Sequence, residues 1–105
     1  MQTNVFLLPE LINSDTIGGS CCVIIDVLRA TTTIVTAFTN GARSIIPCLS
    51  IEQATEIANQ QQVLLGGERN CVRPETFDLG NSPVEYSRDV VKDIDIAFTT
   101  TNGTK

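Results

Sequence analysis

The 105-residue chain, 42% hydrophobic and 18% charged, has the length and balance of one small globular domain, and its apolar runs fall far short of the ~18 residues a membrane span requires. A net charge of −5 with only 5% aromatic residues argues against nucleic acid as a partner, because such binding draws on clustered Lys and Arg and on stacking rings. No basic segment leads into an apolar stretch with a cleavage site, so a soluble, cytoplasmic protein without membrane contact is expected.

Asn4–Leu8 (NVFLL) reads as a first strand, closed by Pro9. After the loop NSDTIGGS, Cys21–Asp26 (CCVIID) reads as a second strand buried on both faces, since its apolar run does not alternate. A short helix is predicted over Thr32–Thr39, with Thr31 as N-cap and Asn40-Gly41 as its stop. Arg43–Cys48 follows as a third strand. SIEQATEIANQ then reads as a helix whose N-cap Ser50 has Gln53 at capping-box spacing, with Ile51, Ala54, Ile57 and Ala58 as its apolar stripe. Gln62–Arg69 (QVLLGGER) gives a fourth strand that breaks at Gly66-Gly67. The loop Thr76–Tyr86 turns into a short helix with Ser82 as cap and Pro83 in the first helical position. Asp93–Lys105 (DIDIAFTTTNGTK) is a fifth strand, alternating polar and apolar residues before a Thr-Asn-Gly terminus. Strands alternating with helices predict an α/β fold with a mostly parallel sheet and right-handed crossovers.

Three of these strands end in polar clusters, Asp26–Thr33, Gly66–Arg69 and Thr99–Thr104. The carboxyl ends of parallel strands share one edge, where ligands bind, so the three clusters are expected to meet. Asp26 there suits a metal ligand or nucleophile, with Arg29 and the hydroxyls of Thr31, Thr32 and Thr33 on phosphoryl oxygens. The plainer alternative is that Asp26 caps the helix and the threonines satisfy its free N–H groups. Gly66-Gly67 is either a tight turn or a close backbone approach to a ligand beside Glu68 and Arg69. Asp78 offers a further hard oxygen ligand, and the N–H groups at Ser82 a place for an anion.

Histidine is absent, which removes His-based nucleophile activation, phosphohistidine and His-ligated zinc. Carboxylates, hydroxyls, Arg, Lys and an oxygen-bound hard cation such as Mg2+ remain. The four cysteines, Cys21, Cys22, Cys48 and Cys71, have no C-x-x-C spacing, and reduced, mostly buried thiols are expected.

Four motifs, VIIDVLRATTT, LGGER, FDLGNSP followed by EY, and TTTNGT, occur in this order from about Cys22 to the end of the chain. In that order they resemble the 2-phosphosulfolactate phosphatase family of coenzyme M biosynthesis. The resemblance implies a magnesium-dependent phosphatase that releases phosphate from 2-phospho-3-sulfolactate, a small anionic ester. It also implies a three-layer α/β/α architecture in two similar halves, of which residues 1–105 form a single unit matching the N-terminal portion. Asp26, Arg29 and Glu68 are then the catalytic candidates, and Asp26, Glu68 and Asp78 the metal ligands. Thr31, Thr32, Thr33, Gly67 and Arg69 fall to substrate binding, together with Asn81, Ser82, Thr101, Asn102 and Gly103. With the second half of that architecture absent, the last strand is uncovered and self-association is favoured.

The residues leave the catalytic route open between a phosphoaspartate on Asp26 and a water activated by magnesium. VIID followed by a threonine is also similar to haloacid-dehalogenase-like phosphatases, but Leu28 stands where their second acid belongs. A cysteine phosphatase needs C-x5-R, and the interval from Cys22 to Arg29 is one residue too long. An inactive fragment or a non-catalytic anion-binding α/β domain is the reading from outside enzymology.

Overall fold

The computed structural model describes residues 1–104. Its sheet has three parallel strands, β1 (Ser44–Pro47), β2 (Leu64–Gly67) and β3 (Asp95–Thr99), in the order β1-β3-β2. The strand that comes last in sequence therefore sits in the centre, with Ile45 opposite Ile96 on one side and Leu65 opposite Ala97 on the other.

Alternation along β3 divides the core in two. Ile96 and Phe98 pack with Ala30, Ala37, Tyr86 and Val91, while Ala97 packs with Cys48, Ala54, Leu65 and Phe77. Because successive side chains of a strand point to opposite faces, α2 (Ala30–Thr39) covers one face and α3 (Ile51–Gln60) the other. The chain is thus α/β, in three layers. Each large side chain buried in this way contributes about 1.5–3 kcal/mol, and Ile96, Phe98, Tyr86 and Val91 are all fully buried.

Helix α2 is rich in β-branched residues, which lower helix propensity, so packing rather than propensity holds it. Ala30, Thr33 and Ala37 supply its buried stripe. It begins earlier than Thr32: Arg29 occupies the N-cap without a side-chain bond, and Thr31 lies inside the helix rather than capping it. In α3 the Ser50 hydroxyl accepts from the Gln53 N–H at 3.1 Å, as the spacing predicts. The Gln53 side chain reaches one residue further back than in a reciprocal capping box, accepting from the Leu49 N–H at 2.7 Å.

Two expected strands do not form. Asn4–Leu8 and Cys21–Asp26 are irregular, and Val23, Ile24 and Ile25 are 78%, 67% and 76% exposed. A strand requires an edge to pair with, and neither segment pairs with the sheet, whose order is β1-β3-β2; the outer edge of β2 is taken by a loop, where the Leu79 N–H donates to the Leu65 carbonyl at 3.0 Å and Leu79 accepts from the Gly67 N–H at 3.1 Å. An apolar run states that burial would be favourable, not that a partner lies within reach. The segment before α2 carries only a one-turn helix, α1 (Ser14–Ile17), inside the expected loop, with the Asn13 side chain accepting from the Asp15 N–H. Accordingly the radius of gyration is 14.5 Å, against ~13 Å for a compact domain of about 100 residues. The other expected strands contract to β1, β2 and β3, and Lys105, where the fifth was drawn to end, lies outside the described residues.

All four cysteines are free, but only Cys48 is buried, correcting the expectation of mostly buried thiols. Cys21 and Cys22 are exposed because the strand that would have buried them is not formed. No helix among the described residues is long and apolar enough to cross a membrane.

Candidate functional site

The carboxyl edge of the sheet is where the three polar clusters are brought together. Immediately before α2, the Thr31 N–H donates to the Asp26 carbonyl at 2.9 Å and the Asp26 N–H donates to Thr31 Oγ1 at 3.0 Å. This closes a small loop that fixes the backbone of Asp26 and leaves its carboxylate to point elsewhere. It points at the turn after β3: a Cβ placed on Gly103 would stand 3.1 Å from Asp26 Oδ2 and 2.8 Å from Ala30 Cβ. Only a residue without a side chain fits between that turn and the start of α2.

The turn after β3 is tied to itself and to Glu68. Thr100 accepts at Oγ1 from the Gly103 N–H at 2.9 Å, and the Thr100 N–H donates to Thr104 Oγ1 at 3.0 Å. Glu68, 8% exposed at the end of β2, accepts at Oε1 from the Thr101 N–H at 2.6 Å. Its Oε2 accepts from the Thr101 hydroxyl and from the Cys71 N–H, each at 2.8 Å. Burial pushes the Glu68 carboxyl up, but these three donors and the neighbouring Arg69 outweigh it and hold the carboxyl below the usual range.

The three threonines of the first cluster divide their hydroxyls differently. Thr32 donates to the Val27 carbonyl at 2.6 Å and Thr33, fully buried, to the Asn81 carbonyl at 3.3 Å. Thr31 uses its oxygen as an acceptor and keeps its proton to donate. Of the two arginines, Arg29 is exposed and its guanidinium has no partner among the described residues. Arg69 is committed to the fold, donating to the carbonyls of Glu68 and Leu49 at 2.9 Å and to Thr99 Oγ1 at 2.6 Å.

Gly67 has a reason unconnected with ligand approach. Its φ is +128°, and a Cβ there would overlap the Thr99 carbonyl of the neighbouring strand. Asp78, an expected metal ligand, accepts instead from the Leu65 N–H at 2.8 Å and anchors the loop beside β2. Ser82 caps the short 3-10 turn Pro83–Glu85 without a side-chain bond, so its hydroxyl is uncommitted, and Asn102 is exposed. Asn81 is buried, and its Oδ1 has no hydrogen-bond partner among the described residues. The set of Asp26, Glu68 and Asp78 is not assembled: among the described residues no three acids or thiols gather to hold a metal. Spacing along the chain could not show this, because the partners of Glu68 and Asp78, the N–H groups of Thr101, Cys71 and Leu65, are set by the fold.

Three contributors were not singled out from the sequence. Thr100 and Cys71 act through a side-chain oxygen and a backbone N–H, as described. Tyr86 is fully buried, donates to the Gly80 carbonyl at 2.5 Å and meets the edge of the Phe98 ring at 6.3 Å between centroids. The motif runs through Thr100 and ends at Tyr86, but only the tertiary contacts show what they touch.

The carboxyl edge of the parallel α/β sheet thus brings together an uncommitted carboxylate, Asp26, and a hydroxyl with a proton to donate, Thr31, with the exposed Arg29 just before α2. The profile of the 2-phosphosulpholactate phosphatase family matches residues 6–105. Probable 2-phosphosulfolactate phosphatases of Clostridium perfringens (strain 13 / Type A) and Clostridium novyi (strain NT) are 43% and 44% identical over 110 and 107 residues. A third, from Clostridium botulinum (strain Eklund 17B / Type B), is 44% identical over 108 residues. Each alignment covers 100% of this chain, which spans 44%, 46% and 45% of the relatives' lengths in that order. The chain belongs to the 2-phosphosulpholactate phosphatase family.

Proposed function

We propose that this chain supplies the phosphoryl-handling edge of an enzyme that hydrolyses 2-phospho-3-sulfolactate to 3-sulfolactate and phosphate, in the cytoplasmic chemistry that leads to coenzyme M. The observation that carries the reading, beside family membership, is the uncommitted Asp26 carboxylate held at the start of α2 and facing Gly103. A cytoplasmic setting accords with four unpaired thiols.

Asp26 is the carboxylate that meets the phosphoryl group. Its backbone is locked by Thr31, so little ordering remains to be done when substrate arrives. The Thr31 hydroxyl and the Arg29 guanidinium donate to the non-bridging oxygens, where negative charge gathers as the ester bond breaks. The Ser82 hydroxyl and the exposed Asn102 amide face the remaining oxyanions of a substrate that carries three. Gly103 keeps the approach to Asp26 narrow.

Magnesium is part of the proposal. It commonly takes one or two carboxylates and completes its shell with substrate phosphate oxygens and water. Asp26 fits that demand; Glu68 has both oxygens engaged by donors, and Asp78 has one oxygen on the Leu65 N–H. Bound there, the ion supplies neutralisation of phosphoryl charge.

The test is phosphate release from 2-phospho-3-sulfolactate by the chain with and without Mg2+, set beside Asp26→Asn. Turnover that requires Mg2+, is lost on adding a chelator and is abolished in the variant is the expected result. Tight substrate binding without turnover would replace the enzyme reading with a non-catalytic anion-binding domain.

A further inference from the structure

We propose that Glu68 is a positioning residue, whose carboxylate clamps the turn after β2 to the turn after β3 and thereby sets Gly103 against Asp26. The proposal deepens the reading of Asp26 as the carboxylate that meets the phosphoryl group and rests on it. Three protein donors reach the two oxygens of Glu68, two of them from Thr101 and one from Cys71. A fourth bond, from the Asn70 N–H to Thr101 Oγ1 at 3.0 Å, crosses the same gap. A carboxylate this fully engaged has little capacity left for a cation or a proton in transit.

The turn it holds is not one the chain adopts freely. Asn70 and Cys71 have φ of 52° and 65°, a left-handed conformation that is costly for residues other than glycine and that asparagine tolerates better than cysteine. The bond from the Cys71 N–H to Glu68 offsets that cost. On the other side of the clamp, Thr101 lies between Thr100 and Gly103, and the Gly103 N–H is held by Thr100 Oγ1. The line of support therefore runs from Glu68 through Thr101 to Gly103, and from Gly103 to the oxygen of Asp26. Glu68 touches no reacting atom along it.

Glu68→Gln retains shape and one acceptor but cannot receive all three donors. In the full chain, amide exchange at Thr101, Cys71 and Gly103 should accelerate at least tenfold, while amides of Ile96 and Ala97 in β3 keep their protection. With 2-phospho-3-sulfolactate, kcat should fall at least tenfold with KM changed less than threefold. Affinity for Mn2+, followed by electron paramagnetic resonance as a probe of the magnesium position, should stay within threefold. Unchanged exchange at Thr101 and Cys71 would overturn the clamp, and so would a tenfold loss of Mn2+ affinity, which would return Glu68 to the metal. Should Glu68→Gln fail to fold, Thr101→Val removes the hydroxyl arm alone, and exchange at Asn70, whose N–H that hydroxyl receives, must still accelerate. Absence of turnover in the unaltered chain would count against the proposed function and leave the clamp to be judged by exchange and Mn2+ affinity.

Discussion

Asp26 and Thr31 hold each other by two hydrogen bonds, N–H to carbonyl in one direction at 2.9 Å and N–H to hydroxyl in the other at 3.0 Å. The pair fixes the backbone of the acid and leaves the threonine proton free. Thr31→Val removes both acceptor and donor, and a hydrogen bond to a charged group is worth ~1.5–3 kcal/mol, so kcat/KM should fall between about tenfold and a hundredfold. Thr31→Ser should stay near the original value. Thr32→Val, whose proton already goes to Val27, should change kcat/KM far less, and equal losses at both positions would count against the distinction.

Arg29 and Arg69 separate activity from stability. Arg29→Ala removes an exposed guanidinium with no protein partner among the described residues; KM should rise or kcat fall at least tenfold, with an unchanged urea midpoint. Arg69→Ala deletes donors to Glu68, Leu49 and Thr99, and should lower unfolding free energy by about 1–3 kcal/mol. Denaturation and steady-state kinetics on both variants decide the matter.

Gly67→Ala should be poorly tolerated, because the new methyl meets the backbone of Thr99 rather than a side chain that could move. A loss of ~3 kcal/mol or more is expected from forcing β2 and β3 apart. Gly80→Ala would meet the flexible carboxylate of Glu85 instead, and should cost less. Urea midpoints measured side by side would reveal a reversed order.

Acid sensitivity has a named source in Asp95. Hydrogen bonds from Arg43 and Ser44 lower its carboxyl from 3.8 to about 2. A depressed carboxylate contributes stability that is complete above its unfolded value and is lost as pH falls through the folded one. The window is therefore from about pH 4 down to about pH 2, and Glu68, also depressed, acts with the same sign. Asp95→Asn should lose less stability than the original chain over that interval, as read by thermal melts at pH 5 and pH 3.

Self-association is expected from the uncovered segment before α2 and not, as the resemblance implied, from the last strand, whose Ile96, Ala97 and Phe98 are fully buried between α2 and α3. Val23 and Ile25 are exposed by 78% and 76%, and apolar surface of this kind drives chains together. Sedimentation velocity should show mass rising with concentration, and the double change Val23→Glu, Ile25→Glu should reduce that rise. A concentration-independent monomer in the unaltered chain would refute it.

The elements that could be read from residue order are those whose determinants are local. Ser50 and Gln53 mark the start of α3 through short-range bonds, and the fifth strand was legible in Asp93–Phe98, although its polar and apolar alternation suggested one buried face where Ile96, Ala97 and Phe98 bury both. Cys21–Asp26 was misread because a strand's existence depends on an edge elsewhere. Thr31 was misplaced as a cap because a hydroxyl's partner is set by which way the chain enters the helix. Glycine at position 67 was legible as a requirement, but whether a ligand or Thr99 imposes it is a tertiary matter. The acids follow the same logic: Asp26, Glu68 and Asp78 look alike in sequence, and only their N–H neighbours separate them.

The phenol of Tyr86, seated on the Gly80 carbonyl beside the Phe98 ring, makes the protein its own optical gauge. With one tyrosine and no tryptophan in the chain, ultraviolet emission arises from that one ring. Its intensity and its exposure to a quencher such as acrylamide would follow the docking of the Gly80–Tyr86 loop against Phe98 without any label.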